Sequence, residues 1–314
     1  MTFKKISALK PGDLVDVVSP GSGSRFEDVQ LCVELLESWG LKVRLPKETF
    51  SEHPFHSNED AVRLKLLKKA LMAKDSKAIW CLRGGYGSNR LLPEMWKWKA
   101  PAQAKMLIGY SDITSLHLFL NQKWKWPSFH GPLLESLISG RLSLQQQQEA
   151  REVLFGEKRD MKFSLKPLNS RAKKIKSLKA SLSGGNLVVI ESALGTPYNG
   201  NFQGKILFLE EVGERGYRID RMLEHLRQSG SLKACKALVF GDFLYGDERD
   251  GKNFVSYAIE RFAQLNLLPC FSGLATGHGE QNRMIPLGPK AILSSEELLV
   301  PTGLFQESQK GKRR

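Results

Sequence analysis

The residues of this chain able to support nucleophilic chemistry are a serine on a Gly-Tyr-Ser-Asp turn, six histidines and a pair of adjacent glutamates. LIGYSDIT, residues 107–114, runs an apolar segment into Gly109, Tyr110, Ser111 and Asp112 before a helical pattern begins. A serine on so tight a strand-to-helix turn exposes its hydroxyl at the carboxyl end of a sheet. The next backbone N–H then lies at a helix start, where it can stabilise an oxyanion. The residue two beyond the serine, usually small in such an elbow, is Ile113. A Ser or Asp beginning a helix also serves as a plain N-cap, so the turn needs partners before it means catalysis. LRGGYGSNR, residues 82–90, sets paired glycines at a second strand end, where backbone N–H groups can approach a ligand closely. One of them, with the N–H of Asp112, could complete an oxyanion hole. SPGSGSRF, residues 19–26, lacks the third glycine of a dinucleotide-binding loop.

A serine nucleophile needs a base. His53 and His56 lie in a polar loop, His225 on an amphipathic helix, and His130 beside Gly131 and Pro132 at the end of a strand-like run. His117 follows Ser111 on the same helical pattern, turned roughly 240° away. His278 differs, because TGHGEQN brackets it with Gly277 and Gly279 in a loop between apolar segments. An imidazole base in turn needs a carboxylate to fix its tautomer. KILFLE, residues 205–210, delivers Glu210 to the end of a strand, with Glu211 next. Alternation puts Glu210 on the side of Ile206 and Phe208 and Glu211 on the other. Periodicity leaves open which side faces Ser111, and adjacent acids at a strand end are also a common solvated turn.

The elements that must position these groups alternate in the first half. Strands are expected at Leu14–Ser19, Leu41–Arg44, Ala78–Leu82 and Met106–Gly109, and helices at Phe26–Trp39, Asp60–Met72 and Ser115–Leu120. That alternation predicts a parallel sheet covered on both faces, with ligands at the carboxyl ends of its strands. The later half reads as a helix from Gly184 to Ala193, strands at Lys205–Glu210 and Ala237–Phe243, and helices near Ile219–Arg227 and Phe254–Leu265. The expected organisation is an N-terminal α/β domain over 1–156, a basic linker over 157–180 and a smaller mixed α/β domain over 181–314.

The chain has 314 residues, 41% of them hydrophobic, which is material for two packed domains and excludes a disordered or stapled miniature scaffold. Cys32, Cys81, Cys235 and Cys270 are far apart, which argues against a disulfide framework or a thiolate metal site. With no secretory h-region and no run of about 18 apolar residues, a cytoplasmic location without a membrane span is expected. The net charge is +14, and residues 157–180 carry nine Lys or Arg against two acids. Such runs usually form a solvated surface, and the field also suits an acidic small substrate. It does not suggest nucleic acid, because the basic residues are not interleaved with aromatics.

Taken together, IGYSDIT, RGGYGSNRLL, SGGNL (Ser183 to Leu187), LFLEEVGERGYRIDRML and GHGEQN resemble, in this order and spacing, the LD-carboxypeptidases, the serine peptidases of murein recycling. The matching blocks run from about Val15 to about Gly288. The resemblance implies a flavodoxin- or glutamine-amidotransferase-like N-terminal domain, a smaller C-terminal domain, and a Ser-Glu-His triad where they meet. Carried over by motif, Ser111 is the nucleophile, Glu210 the orienting carboxylate and His278 the general base. The oxyanion hole falls on the backbone of Gly85 and Asp112. The resemblance further implies release of terminal D-alanine from muropeptide tetrapeptides, with a muropeptide as substrate, a homodimer, and neither metal nor cofactor. Arg83, Arg90 and Arg218 lie near the motifs without an assignable role. A family relative that cleaves peptide-nucleotide antibiotics is the alternative enzyme, and a non-catalytic muropeptide-binding protein the alternative outside enzymes. The basic segment and the KGKRR tail are not part of the family pattern.

Overall fold

Short apolar strands feeding amphipathic helices bury a sheet on both faces, and the first half of the chain does so. The computed structural model describes residues 2–51 and 53–306, so the KGKRR tail lies outside the described residues. Strands Leu14–Val18, Lys42–Arg44, Ser76–Cys81, Met106–Gly109 and Ser128–His130 are parallel. In space the second lies outside the first, and the third to fifth follow on the other side. This flavodoxin-like order opens a crevice at the carboxyl ends of the first and third strands, where the winding reverses. Helix Phe26–Ser38 buries Val29, Cys32 and Leu36, and helix Asp60–Met72 buries Leu67, Ala70 and Leu71.

A sixth strand, Ile285–Leu287, joins this sheet antiparallel to Ser128–His130. It comes from the far end of the chain, just after the loop that carries His278, and stitches the two halves together.

The second sheet has eight strands, in the order Asp160–Ser164, Glu297–Pro301, Lys290–Leu293, Leu178–Asn186, Ile206–Val212, Ala237–Leu244, Cys270–Ser272 and Lys166–Pro167. The run from Leu178–Asn186 to Cys270–Ser272 is parallel and the flanking strands are antiparallel. Asp160–Ser164 and Lys166–Pro167 are one residue apart in sequence yet occupy opposite ends of the order, so the sheet curls until its edges nearly meet. Strand alternation then separates two cores. Ile206, Phe208, Ala237 and Val239 join the core shared with the first sheet. Leu207, Leu209, Leu238 and Phe240 face helices Leu187–Ser192, Gly216–Gln228 and Val255–Leu265.

Two local expectations differ from the structure. Residues 157–180, read as a basic linker, are woven into the second sheet as its two edge strands, the short helix Ser170–Lys173 and the start of Leu178–Asn186. In Asp160–Ser164, Met161 and Phe163 are buried while Asp160, Lys162 and Ser164 are exposed. Lys162 belongs to the outward polar row of a two-residue period too short to stand out among neighbouring lysines. The helix expected from Gly184 begins instead at Leu187, and both glycines finish a strand. Their φ angles are 144° and 141°. A Cβ would strike the Phe208 backbone at Gly184 and Thr114 at Gly185, so close packing, not a helix start, demands glycine here.

Among the described residues no helix is long and apolar enough to cross a membrane. All four cysteines are buried free thiols.

Candidate active site

The strand Met106–Gly109 delivers Ser111 to the carboxyl end of the first sheet with a φ of 64°. A non-glycine residue in this left-handed region costs about 1–3 kcal/mol and persists only where the surroundings over-determine it. Those surroundings are the turn Ser111–Ile113, which passes into helix Thr114–Phe119. Ile113, where an elbow usually has a small residue, is fully buried, and Gly109 supplies the room. A Cβ on Gly109 would lie 3.0 Å from Ile113 Cγ1, so the small residue sits on the other side of the contact.

Three loops of the winding-reversal crevice converge on this serine. A Cβ on Gly84 would lie 3.3 Å from Ser111 Oγ, so the glycine loop abuts the hydroxyl. Gly85 follows with φ 80°, its missing side chain leaving space for Ser22. Gly21 passes close to the Gly84 carbonyl and the Asp112 carboxylate. Asp112 is the latch between them: its Oδ2 accepts from Ser88 N at 2.8 Å and Ser88 Oγ at 2.6 Å, and its Oδ1 from Gly87 N at 3.3 Å. Burial pushes this carboxyl up to about 6, against the pull of those donors. Thus Asp112, expected to offer its N–H, also holds through its side chain the loop that carries Gly85, the other expected donor.

Glu210 and His278 meet. Glu210 continues the row of Ile206 and Phe208 toward the first sheet, and its Oε2 lies 2.7 Å from His278 Nδ1. The glutamate is fully buried and the imidazole side chain is 14% exposed. Burial disfavours the imidazolium, but the hydrogen bond and charge of Glu210, helped by Glu211 and Asp242, outweigh it and raise His278 above its ordinary value. The His278 ring packs on Tyr110, with centroids 4.7 Å apart, beside Ser111. Gly277, at φ 132°, allows the approach, since a Cβ would lie 2.9 Å from Asp242 Cβ and 3.2 Å from Glu210. Asp242 Oδ2 accepts from Gly279 N at 3.0 Å. From the N-terminal half, Gln146 Nε2 donates to Glu280 O at 2.8 Å and Glu149 pairs with Arg283, also at 2.8 Å. The imidazole loop is therefore held from both halves.

Glu211 points the other way. It accepts from Val188 N at 2.8 Å, Asn186 Nδ2 at 3.0 Å and Val212 N at 2.9 Å, tying the start of helix Leu187–Ser192 to the sheet. Burial raises its carboxyl to about 7. We expect Glu211→Gln at pH 8 to cost about 1–3 kcal/mol, because an amide turns a donor toward some of these N–H groups. Denaturant melts should show a lower midpoint, with turnover per folded molecule near that of the parent; loss of turnover in the folded fraction would contradict the assignment.

The other histidines have structural surroundings. His117 Nε2 donates to Gly109 O at 2.8 Å, and burial pushes it down to about 4. His130 is buried edge-on to Phe208 at 4.8 Å and lies well below its ordinary value. His225 pairs with Glu191 at 2.6 Å, and His53 Nδ1 accepts from Phe55 N and His56 N. Among the described residues no group of three or more His, Cys, Asp or Glu is placed to hold a metal.

Residues 15–131 match the LD-carboxypeptidase N-terminal domain and residues 179–293 its C-terminal domain. The chain belongs to the LD-carboxypeptidase family. A murein tetrapeptide carboxypeptidase of Pseudomonas aeruginosa is 30% identical over 90% of this chain and 94% of its own length. The crystal structure of muramoyltetrapeptide carboxypeptidase from Oxalobacter formigenes superposes with a TM-score of 0.78 at 28% identity, covering 92% of this chain and 98% of that one. The microcin C7 self-immunity protein, in an inactive-mutant apo structure, gives 0.80 at 18% identity over 95% and 98%, a likeness of fold. In this LD-carboxypeptidase, sequence reasoning did not find Tyr110 and Asp242. The signal for Asp242 was an acid ending an apolar strand in VFGDF; Tyr110 carried none beyond standing next to the serine.

Proposed function

We propose that this LD-carboxypeptidase is a serine hydrolase that removes the terminal D-alanine of murein tetrapeptides. The observation that carries the reading is the Glu210–His278 pair at 2.7 Å, its imidazole packed on Tyr110, the neighbour of a serine at φ 64°. In this mechanism His278, its Nδ1–H donated to Glu210, takes the Ser111 proton through Nε2 as the hydroxyl oxygen attacks the scissile carbonyl. The N–H groups of Gly85 and Asp112 receive the developing oxyanion. The imidazolium returns its proton to the leaving amine, and water repeats the cycle on the acyl-enzyme. Glu210 keeps the imidazole oriented and its positive form stabilised.

Murein peptides are favoured over peptide-nucleotide antibiotics because relatives at 28–30% identity carry murein names, whereas the self-immunity likeness is at 18%. Four buried free thiols suit a reducing cytoplasm, where wall fragments are recycled. Incubation with murein tetrapeptide, followed by mass spectrometry for tripeptide and D-alanine, tests the reading. A parallel reaction on a peptidyl nucleotide separates the two substrates; cleavage of that compound alone would overturn the murein assignment.

A further inference from the structure

A peptidase that removes one terminal residue must recognise a free carboxylate just beyond the amide it cuts. The arginines around the motifs are committed elsewhere. Arg90 pairs with Asp60 at 2.8 Å, Arg218 with Glu214 at 3.1 Å and Arg283 with Glu149 at 2.8 Å. Arg83 faces Glu135 at 3.9 Å and donates to Gly23 O. Arg141 is exposed and has no acid partner among the described residues.

Its loop is bracketed by the site on both flanks. On one side, helix Leu134–Ile138 carries Ser136, whose hydroxyl acts on the Tyr110 phenol, and the Tyr110 ring lies under His278. On the other, helix Leu144–Leu154 opens with a Ser143–Gln146 capping box, and Gln146 reaches the carbonyl of Glu280 in the imidazole loop. Gln147 Nε2 donates to Leu137 O at 2.7 Å, drawing the loop's two ends together, and Gly140 at φ 74° makes the turn. Burial raises the Tyr110 phenol above its ordinary value and Glu210 adds to this, while Ser136 and the nearby Arg141 charge oppose it. Arg141 is therefore an exposed guanidinium on the one loop that joins a helix beside Tyr110 to a helix whose Gln146 holds the imidazole loop.

We propose that Arg141 anchors the substrate's terminal carboxylate, pairing with it so that the preceding carbonyl is presented to Ser111. The inference rests on the carboxypeptidase reading and names the group that makes the site an exopeptidase. The planar guanidinium fork matches a carboxylate through two parallel hydrogen bonds, which a C-terminal amide cannot accept in the same way.

The test is ligand binding to Ser111→Ala protein, which keeps the site without consuming substrate. Calorimetry compares murein tetrapeptide bearing a free C-terminal carboxylate with the same peptide as its C-terminal amide. With Arg141 present, the carboxylate should bind about 10- to 100-fold more tightly. Adding Arg141→Gln should reduce that preference to about onefold, and Arg141→Lys should restore part of it as a point charge without the fork. A preference that survives Arg141→Gln, or one absent while Arg141 is in place, overturns the anchor. Turnover by the wild-type protein is read separately: binding preference without release would sink the peptidase reading and leave the anchor standing, whereas release by wild-type protein together with an unchanged preference in Arg141→Gln would do the reverse.

Discussion

Ser111→Ala protein should release D-alanine from murein tetrapeptide about 10,000- to 1,000,000-fold more slowly than the parent, with its fold intact. The size of the loss follows from the division of labour: without the hydroxyl, His278 has no proton to take and no acyl-enzyme forms, leaving only binding and the oxyanion donors. A second variant separates chemistry from backbone. Ser111→Gly should be equally inactive yet more resistant to denaturant by about 1 kcal/mol, since glycine adopts a φ of 64° without the penalty borne by serine. Turnover of Ser111→Ala at the parental rate would refute the nucleophile, and with it the proposed reaction. Equal midpoints for Ser111→Gly and parent would show that the elbow stores no strain.

The second large effect is expected at Glu210. Glu210→Gln preserves shape but offers the imidazole an amide in place of a carboxylate, so the correct tautomer and the positive form both lose support. A fall of about 1,000- to 10,000-fold in kcat is expected. The pH dependence supplies an independent readout. The base must be neutral, so kcat/KM of the parent should fall on acidification with an apparent pKa above the ordinary histidine value of about 6.5. Removing the Glu210 charge leaves burial, which favours the neutral ring, as the larger influence. The residual activity of Glu210→Gln should therefore persist to lower pH than that of the parent. An acid limb that stays in place or moves upward would show that Glu210 does not govern the imidazole.

The layout of the first sheet was legible because its signals are local. The strand ending at Gly109 and the helix Asp60–Met72 each carry their period within one segment, and the elbow turn declares itself through residue types in sequence. The choice between Glu210 and Glu211 was not legible, because alternation assigns opposite faces without saying which face meets the other half. That was decided by Phe208 lying edge-on to His130, a contact between distant segments. The strands within residues 157–180 were hidden for a related reason: Met161 and Phe163 read as isolated apolar residues among lysines until Leu298 and Val300 of the neighbouring strand join them in one core. Tyr110 escaped notice because its importance lies in what touches it, the His278 ring packed on its own.

The strand Ile285–Leu287 has a temporal consequence. Because it pairs with Ser128–His130 directly after the imidazole loop, a nascent chain holding only its leading strands lacks the base that the proposed mechanism assigns to Ser111. In the proposed mechanism, competence therefore waits until residues 278–287 have emerged and paired back onto the first sheet.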